Sequence, residues 1–177
     1  MTYDPTEGYR FRTRIPAGDD RERHVCDDCG WIHYVNPRVV VGAVCTWEDR
    51  FLLCRRDIEP RRGFWTIPAG FLEEGESTEA GARREAREEA NARLEIDALL
   101  GVYSIPRISQ VQIMYRARLT DPDVEACDET SEVRFFAWDE IPWDDLAFPS
   151  VAWALRHWKE VEGRTGFPPF PAAEELT

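Results

Sequence analysis

The chain is poor in lysine, histidine and methionine, and it has no long apolar run. Lys159 is the only lysine among 22 basic residues, so arginine supplies almost all of the positive charge. A bias this uniform belongs to the whole composition and marks no single site. Acidic residues number 34, which leaves a net charge of −12. Such a deficit argues against a duplex nucleic-acid binder, because that mode of binding must neutralise many phosphates. No apolar stretch approaches the roughly 20 residues that a membrane-spanning helix requires. The opening MTYDPTEGYRFRTR lacks the apolar segment of a secretion signal. Five cysteines, an odd number without an export signal, speak against a disulfide framework. These absences lead to the expectation of a cytoplasmic protein with no membrane and no nucleic-acid partner.

What is present suits a folded domain. The 177 residues are 43% hydrophobic and carry seven Trp, nine Phe and five Tyr, enough for a sizeable core. The chain divides into a polar extension over 1–36, a main domain over 37–163 and a proline-containing tail over 164–177, expected to be extended or mobile. VVVGAVCTW at 39–47 is β-branched and nearly continuous, as a strand buried on both faces would be. A second strand is expected from Arg50 to Arg56, with others near 97–104, 110–119 and 132–138. One helix is expected over 78–90 with Ser77 as its N-cap, and another from Ser150 to Gly163 after Pro149.

The chemistry concentrates in GFLEEGESTEAGARREAREEANA, from Gly70 to Ala92. At 100° per residue Ala82, Ala86 and Ala90 form a narrow stripe that lets a helix approach a sheet closely. Glu89, Glu85 and Glu88 fall about 20°, 60° and 120° to one side of Ala82. These carboxylates therefore line an edge of the buried face. Glu85 and Glu89 are a like-charge pair four residues apart, which weakens an isolated helix by roughly 0.2–0.5 kcal/mol. Converging carboxylates become favourable around a hard divalent cation that takes oxygen ligands, such as Mg²⁺ or Mn²⁺.

The spacing of Gly70, Glu76, Arg84-Glu85-Ala86, Glu88-Glu89 and Ala92 resembles the box of the Nudix hydrolases, with Asn91 where that pattern has glycine. Asn is the next-best residue for a left-handed helix end. The resemblance implies an α/β (α+β) fold, a mixed sheet sandwiched between helices. It also implies hydrolysis of a nucleoside diphosphate linked to another moiety. Glu85, Glu88, Glu89 and the Gly70 carbonyl would hold Mg²⁺ or Mn²⁺, Arg84 would orient the ligand helix, and Glu76 would support the box. Candidates for the general base are Glu89, Glu132 and Glu129. Arg55, Arg56, Arg61 and Arg62 are candidate phosphate contacts, and Trp65 and Phe71 candidate base-stacking groups.

IHYVNPRVVVG, LLCRRDIEPRRGFWTIPAGFLEEGE and DEIPWDDLAFPS are similar to a subgroup acting on ADP-ribose and FAD. That resemblance implies a small dinucleotide or nucleotide-sugar substrate and a homodimer. NADH diphosphatases are the alternative, but the Pro- and Trp-rich motif that follows their box is missing from 102–110. A non-catalytic nucleotide sensor is a third reading, disfavoured because all three carboxylates are in place. The subgroup often carries an N-terminal zinc ribbon with two Cys pairs. Here only Cys26 and Cys29 remain, with His24 and His33 nearby, so the expectation is a degenerate ribbon without zinc, which would need four ligands.

Overall fold

A computed structural model describes residues 10–172 and divides the chain into two units, Met1–Asn36 and Pro37–Thr177. In the first unit β1 (Phe11–Arg14), β2 (Arg23–Cys26) and β3 (Ile32–His33) form a three-stranded antiparallel sheet. The Cys26–Cys29 segment makes a tight turn, closed by the Gly30 N–H donating to the Cys26 carbonyl at 2.9 Å. None of these strands is foreshadowed by hydrophobic alternation, since each is only two to four residues long.

The second unit is built around β4 (Arg38–Trp47), whose residues from Val41 to Thr46 are all buried. β-Branched side chains suit that position because both faces of the strand are covered. The strand runs antiparallel to β5 (Arg50–Arg56) and to β7 (Ala69–Phe71), while β6 (Trp65–Thr66) pairs with β5. Its other neighbour, β9 (Gln110–Leu119), runs parallel to it in a register that sets Arg38 beside Gln110 and Thr46 beside Arg118. With β8 (Leu94–Ile105) and β10 (Thr130–Phe136) the main sheet has the order β10-β5-β4-β9-β8. It is therefore mixed.

Helices cover both faces. α1 (Thr78–Ala90) packs Ala82, Ala86 and Ala90, all fully buried, against Val41, Ala43, Cys45 and Tyr115. Ser77 Oγ accepts from the Ala80 amide at 3.2 Å, and Asn91 ends the helix at φ 50°. On the opposite face α2 (Pro149–Glu160) buries Val151, Ala154 and Leu155 with Phe51, Leu100, Tyr103 and Met114. This helix includes Pro149, which loses no hydrogen bond in a first turn, and stops three residues short of Gly163. The Val161 N–H closes it on the His157 carbonyl at 3.2 Å.

The described part of the tail is extended and fixed. Phe170 exchanges backbone hydrogen bonds with β8: its N–H donates to Leu100 O and its carbonyl accepts from Val102 N, both at 2.9 Å. The Phe170 ring stacks on His157 with centroids 4.2 Å apart. Such pairing covers an edge strand that would otherwise present open backbone groups.

Candidate active site

The segment from Thr66 to Ser77 carries the chain from the sheet into α1, and the site forms along its course. β7 pairs with β4 so that Gly70 stands beside Val41. A Cβ on Gly70 would meet the Glu85 carboxylate, so glycine leaves that carboxylate its present place beside the loop. Glu85 is 9% exposed and Glu89 8%, whereas Glu88 projects further into solvent.

Arg84 ties the box together. Its Nη1 donates to Glu85 Oε1 and to Glu88 Oε2, each at 2.8 Å. Its Nη2 donates to Glu76 Oε1 at 2.8 Å and to the Phe71 carbonyl at 2.9 Å, and Nε donates to Glu76 Oε2 at 3.1 Å. These bonds hold the Glu76 carboxyl below its ordinary range. Glu76 Oε1 also accepts from the Glu73 amide at 2.8 Å, which pins the loop before the helix. Thus one guanidinium fixes the loop, the helix and two of the three carboxylates.

Glu89 is held differently. Its Oε2 accepts from the Ala69 amide at 3.1 Å, and burial pushes its carboxyl up to about 8 despite that bond. Burial also raises Glu85, against the pull of Arg84. Buried carboxylates with so little compensation favour either a proton or a cation. The donors are all oxygen, as a hard divalent ion prefers, while among the described residues no three acidic, His or Cys side chains stand close enough together to enclose one.

A cavity of about 1010 Å³ opens beside these groups. Glu85, Glu88, Glu89, Arg84, Gly70, Arg56 and Phe71 all line it. Several other expected contacts lie elsewhere. Trp65 is buried and meets Phe136 edge-on, with centroids 5.0 Å apart, so it is a core residue and no base-stacking surface. Arg55 donates to the Gly63 carbonyl at 2.9 Å and faces Glu132 at 3.6 Å. Arg61 lies over the Phe64 ring, and Arg62 pairs with Asp57 at 2.7 Å. None of Arg55, Arg61, Arg62 and Glu132 is part of the cavity wall. Alternation along β5 turns Arg55 away from it and Arg56 toward it. Arg61 and Arg62 lie in the loop after β5, and Glu129, just before β10, does line it.

Other lining residues escaped the sequence reading. Arg38, Val40, Gln110, Gln112 and Met114 reach the cavity because β4, β7 and β9 lie side by side, a pairing that no local pattern announces. Trp153 of α2 also lines it, packed edge-on against Tyr103.

A carboxylate-edged helix thus follows a glycine loop on a mixed sheet between two helices. A family model described as the NUDIX domain matches residues 36–158, and one described as Nudix N-terminal matches 8–35. The chain belongs to the Nudix family and is a Nudix hydrolase. It is 45% identical to a NUDIX hydrolase from Nitrosomonas europaea of known crystal structure, with a TM-score of 0.88 over 97% of this chain and 98% of that one. An ADP-ribose pyrophosphatase from Methanocaldococcus jannaschii is 32% identical over 65% of this chain and 69% of its own length. A NAD-capped RNA hydrolase from Pseudomonas aeruginosa is 30% identical over 73% of this chain, which spans only 47% of that relative. Among the described residues, no helix is long and apolar enough to cross a membrane.

Proposed function

We propose that the protein hydrolyses the phosphoanhydride of a nucleoside diphosphate derivative, with ADP-ribose or FAD as substrate and AMP as a common product. The observation that carries this reading is the Arg84-centred box on the wall of a cavity large enough for a dinucleotide. The similarity to an ADP-ribose pyrophosphatase supports the choice of substrate.

In this reading Glu85, Glu88, Glu89 and the Gly70 carbonyl hold Mg²⁺ or Mn²⁺. Bound there, the cation supplies charge neutralisation for the diphosphate and an acidified water. Arg84 keeps Glu85 and Glu88 converged, and Glu76 keeps Arg84 in place. Arg56, the arginine of β5 that lines the cavity, offers a fork to phosphate oxygens. The attacking water must give up a proton to a carboxylate. Glu129 is the better candidate than Glu132, because it lines the cavity while Glu132 pairs with Arg55. Glu89 remains the alternative within the box.

A second reading is favoured by the NAD-capped RNA hydrolases: the same cleavage on NADH or on an NAD cap. It leaves the site and the bond broken unchanged. Turnover on a panel of ADP-ribose, FAD, NADH and NAD-capped RNA, with products identified, separates the two. ADP-ribose is expected to exceed NADH at least tenfold, a difference of only ~1.4 kcal/mol at the transition state. A strong preference for NADH or capped RNA would move the protein to the second reading.

A further inference from the structure

Away from the carboxylates the cavity wall is formed by a row of side chains crossing three strands. Phe71 of β7 stands beside Val40 of β4, and Val40 beside Gln112 of β9. All three line the cavity. Two strand spacings separate the ends of this row by about 10 Å, room for one planar heterocycle. Ile105, Met114 and Trp153 add apolar wall. Phe71 is 46% exposed, with the Arg38 guanidinium 5.2 Å from its ring centroid. This end of the cavity therefore suits a flat aromatic ring better than a hydroxylated sugar.

Gln112 is the anomaly in that wall. It is 9% exposed, and its Nε2 donates to Gln110 Oε1 at 3.2 Å. Its Oε1 is buried and has no hydrogen-bond partner among the described residues. An unpaired buried carbonyl destabilises a fold, and an apolar side chain of similar size would avoid the cost. Its nitrogen is already engaged, so the group left to offer is an acceptor. The terminal carboxamide turns about a soft torsion, so a donor entering the cavity can draw the oxygen toward it.

We infer that Gln112 determines base specificity by accepting a hydrogen bond from the exocyclic amino group of the substrate's nucleobase, with the ring lying along the Phe71–Val40–Gln112 row. This deepens the diphosphatase reading and rests on it. A base that presents a carbonyl at the same position, as hypoxanthine does, leaves two acceptors facing each other.

The test compares kcat/KM for ADP-ribose with that for IDP-ribose, its 6-oxo counterpart, in the wild type and in Gln112→Leu. Thermal unfolding of both free proteins is measured alongside. The wild type is expected to prefer the amino base at least tenfold. In Gln112→Leu that preference falls toward unity, mainly through KM, while Tm rises because the unpaired carbonyl is gone. Gln112→Met, closer in shape, gives the same comparison if the leucine variant folds poorly. An unchanged preference overturns the inference. So does an equal loss on both substrates with a lower Tm, which would make Gln112 a packing residue. If the wild type cleaves neither compound, the ADP-ribose reading fails. Equilibrium binding of the same two compounds to the same proteins then decides Gln112.

Discussion

Three carboxylates on little more than one helical turn repel one another, and Arg84 is the residue that makes the arrangement tolerable. It contacts Glu76, Glu85, Glu88 and the Phe71 carbonyl at once. Replacing it by Gln should therefore act on cation affinity as well as on rate. We expect the Mg²⁺ concentration for half-maximal activity to rise by about 10–100-fold, the range for residues that orient metal ligands. Unaltered Mg²⁺ dependence would contradict this role. Glu88→Gln and Glu89→Gln should each lower kcat by at least ~100-fold, with circular dichroism unchanged because a like-charge pair has been relieved. Near wild-type turnover in both variants would sink the ligand assignment. The Arg84 and glutamate positions were legible in the sequence, because a box with fixed spacing inside one loop and one helix carries its own geometry. Gln112, Arg38 and Glu129 were not singled out, or not ranked, because strand pairing rather than local spacing brings them to the cavity.

The elements show the same division between local and distant causes. α1 is readable from Ser77, the alanine stripe and Asn91, and each is used as expected. Asn91 holds φ at 50°, where a β-branched side chain is strained. Asn91→Val should cost about 1–2 kcal/mol, while Asn91→Gly should cost nothing measurable in chemical denaturation. Equal losses in the two variants would refute the left-handed cap as the cause. β6, β7 and the three short strands of the first unit had no signal, because two to four residues are too few for alternation to register. The tail is the other element whose fate is set at a distance, by the free edge of β8 and by His157.

His157 makes that tail contact sensitive to pH. Its Nδ1 lies 2.8 Å from the Tyr103 hydroxyl and its ring stacks on Phe170. Burial lowers its pKa from 6.5, against an opposing pull from Glu160. The unfolded chain therefore takes up the proton first as pH falls. Stability from this group is full above about pH 6.5 and is lost below it, through the lowered folded value. Tm should fall between pH 7.5 and 5, and fall less in His157→Gln. Identical slopes would assign the acid sensitivity elsewhere.

For the whole molecule, the −12 charge bears on the proposed substrate, because in that reading an acidic protein meets a diphosphate through positive charge concentrated at one place. The first unit supplies a single Cys pair, Cys26 and Cys29, both free, with Cys26 buried and Cys29 exposed. Elemental analysis of protein purified without an affinity tag is expected to give well under one zinc per chain, with activity dependent on added Mg²⁺ or Mn²⁺. Stoichiometric zinc that vanishes in a Cys26→Ser, Cys29→Ser variant would overturn the reading of this unit as a degenerate ribbon. The two units divide at Asn36.

Hydrolysis of ADP-ribose in ¹⁸O-labelled water with Mg²⁺ tests the central claim most directly. The account predicts AMP and ribose 5-phosphate as the products, with the label on one of the two phosphates only, because a cation held by the box would activate a water toward one phosphorus. Label distributed over both products would contradict a single point of attack. No hydrolysis of any diphosphate with Mg²⁺ or Mn²⁺, alongside micromolar binding of ADP-ribose, would favour a nucleotide sensor over an enzyme.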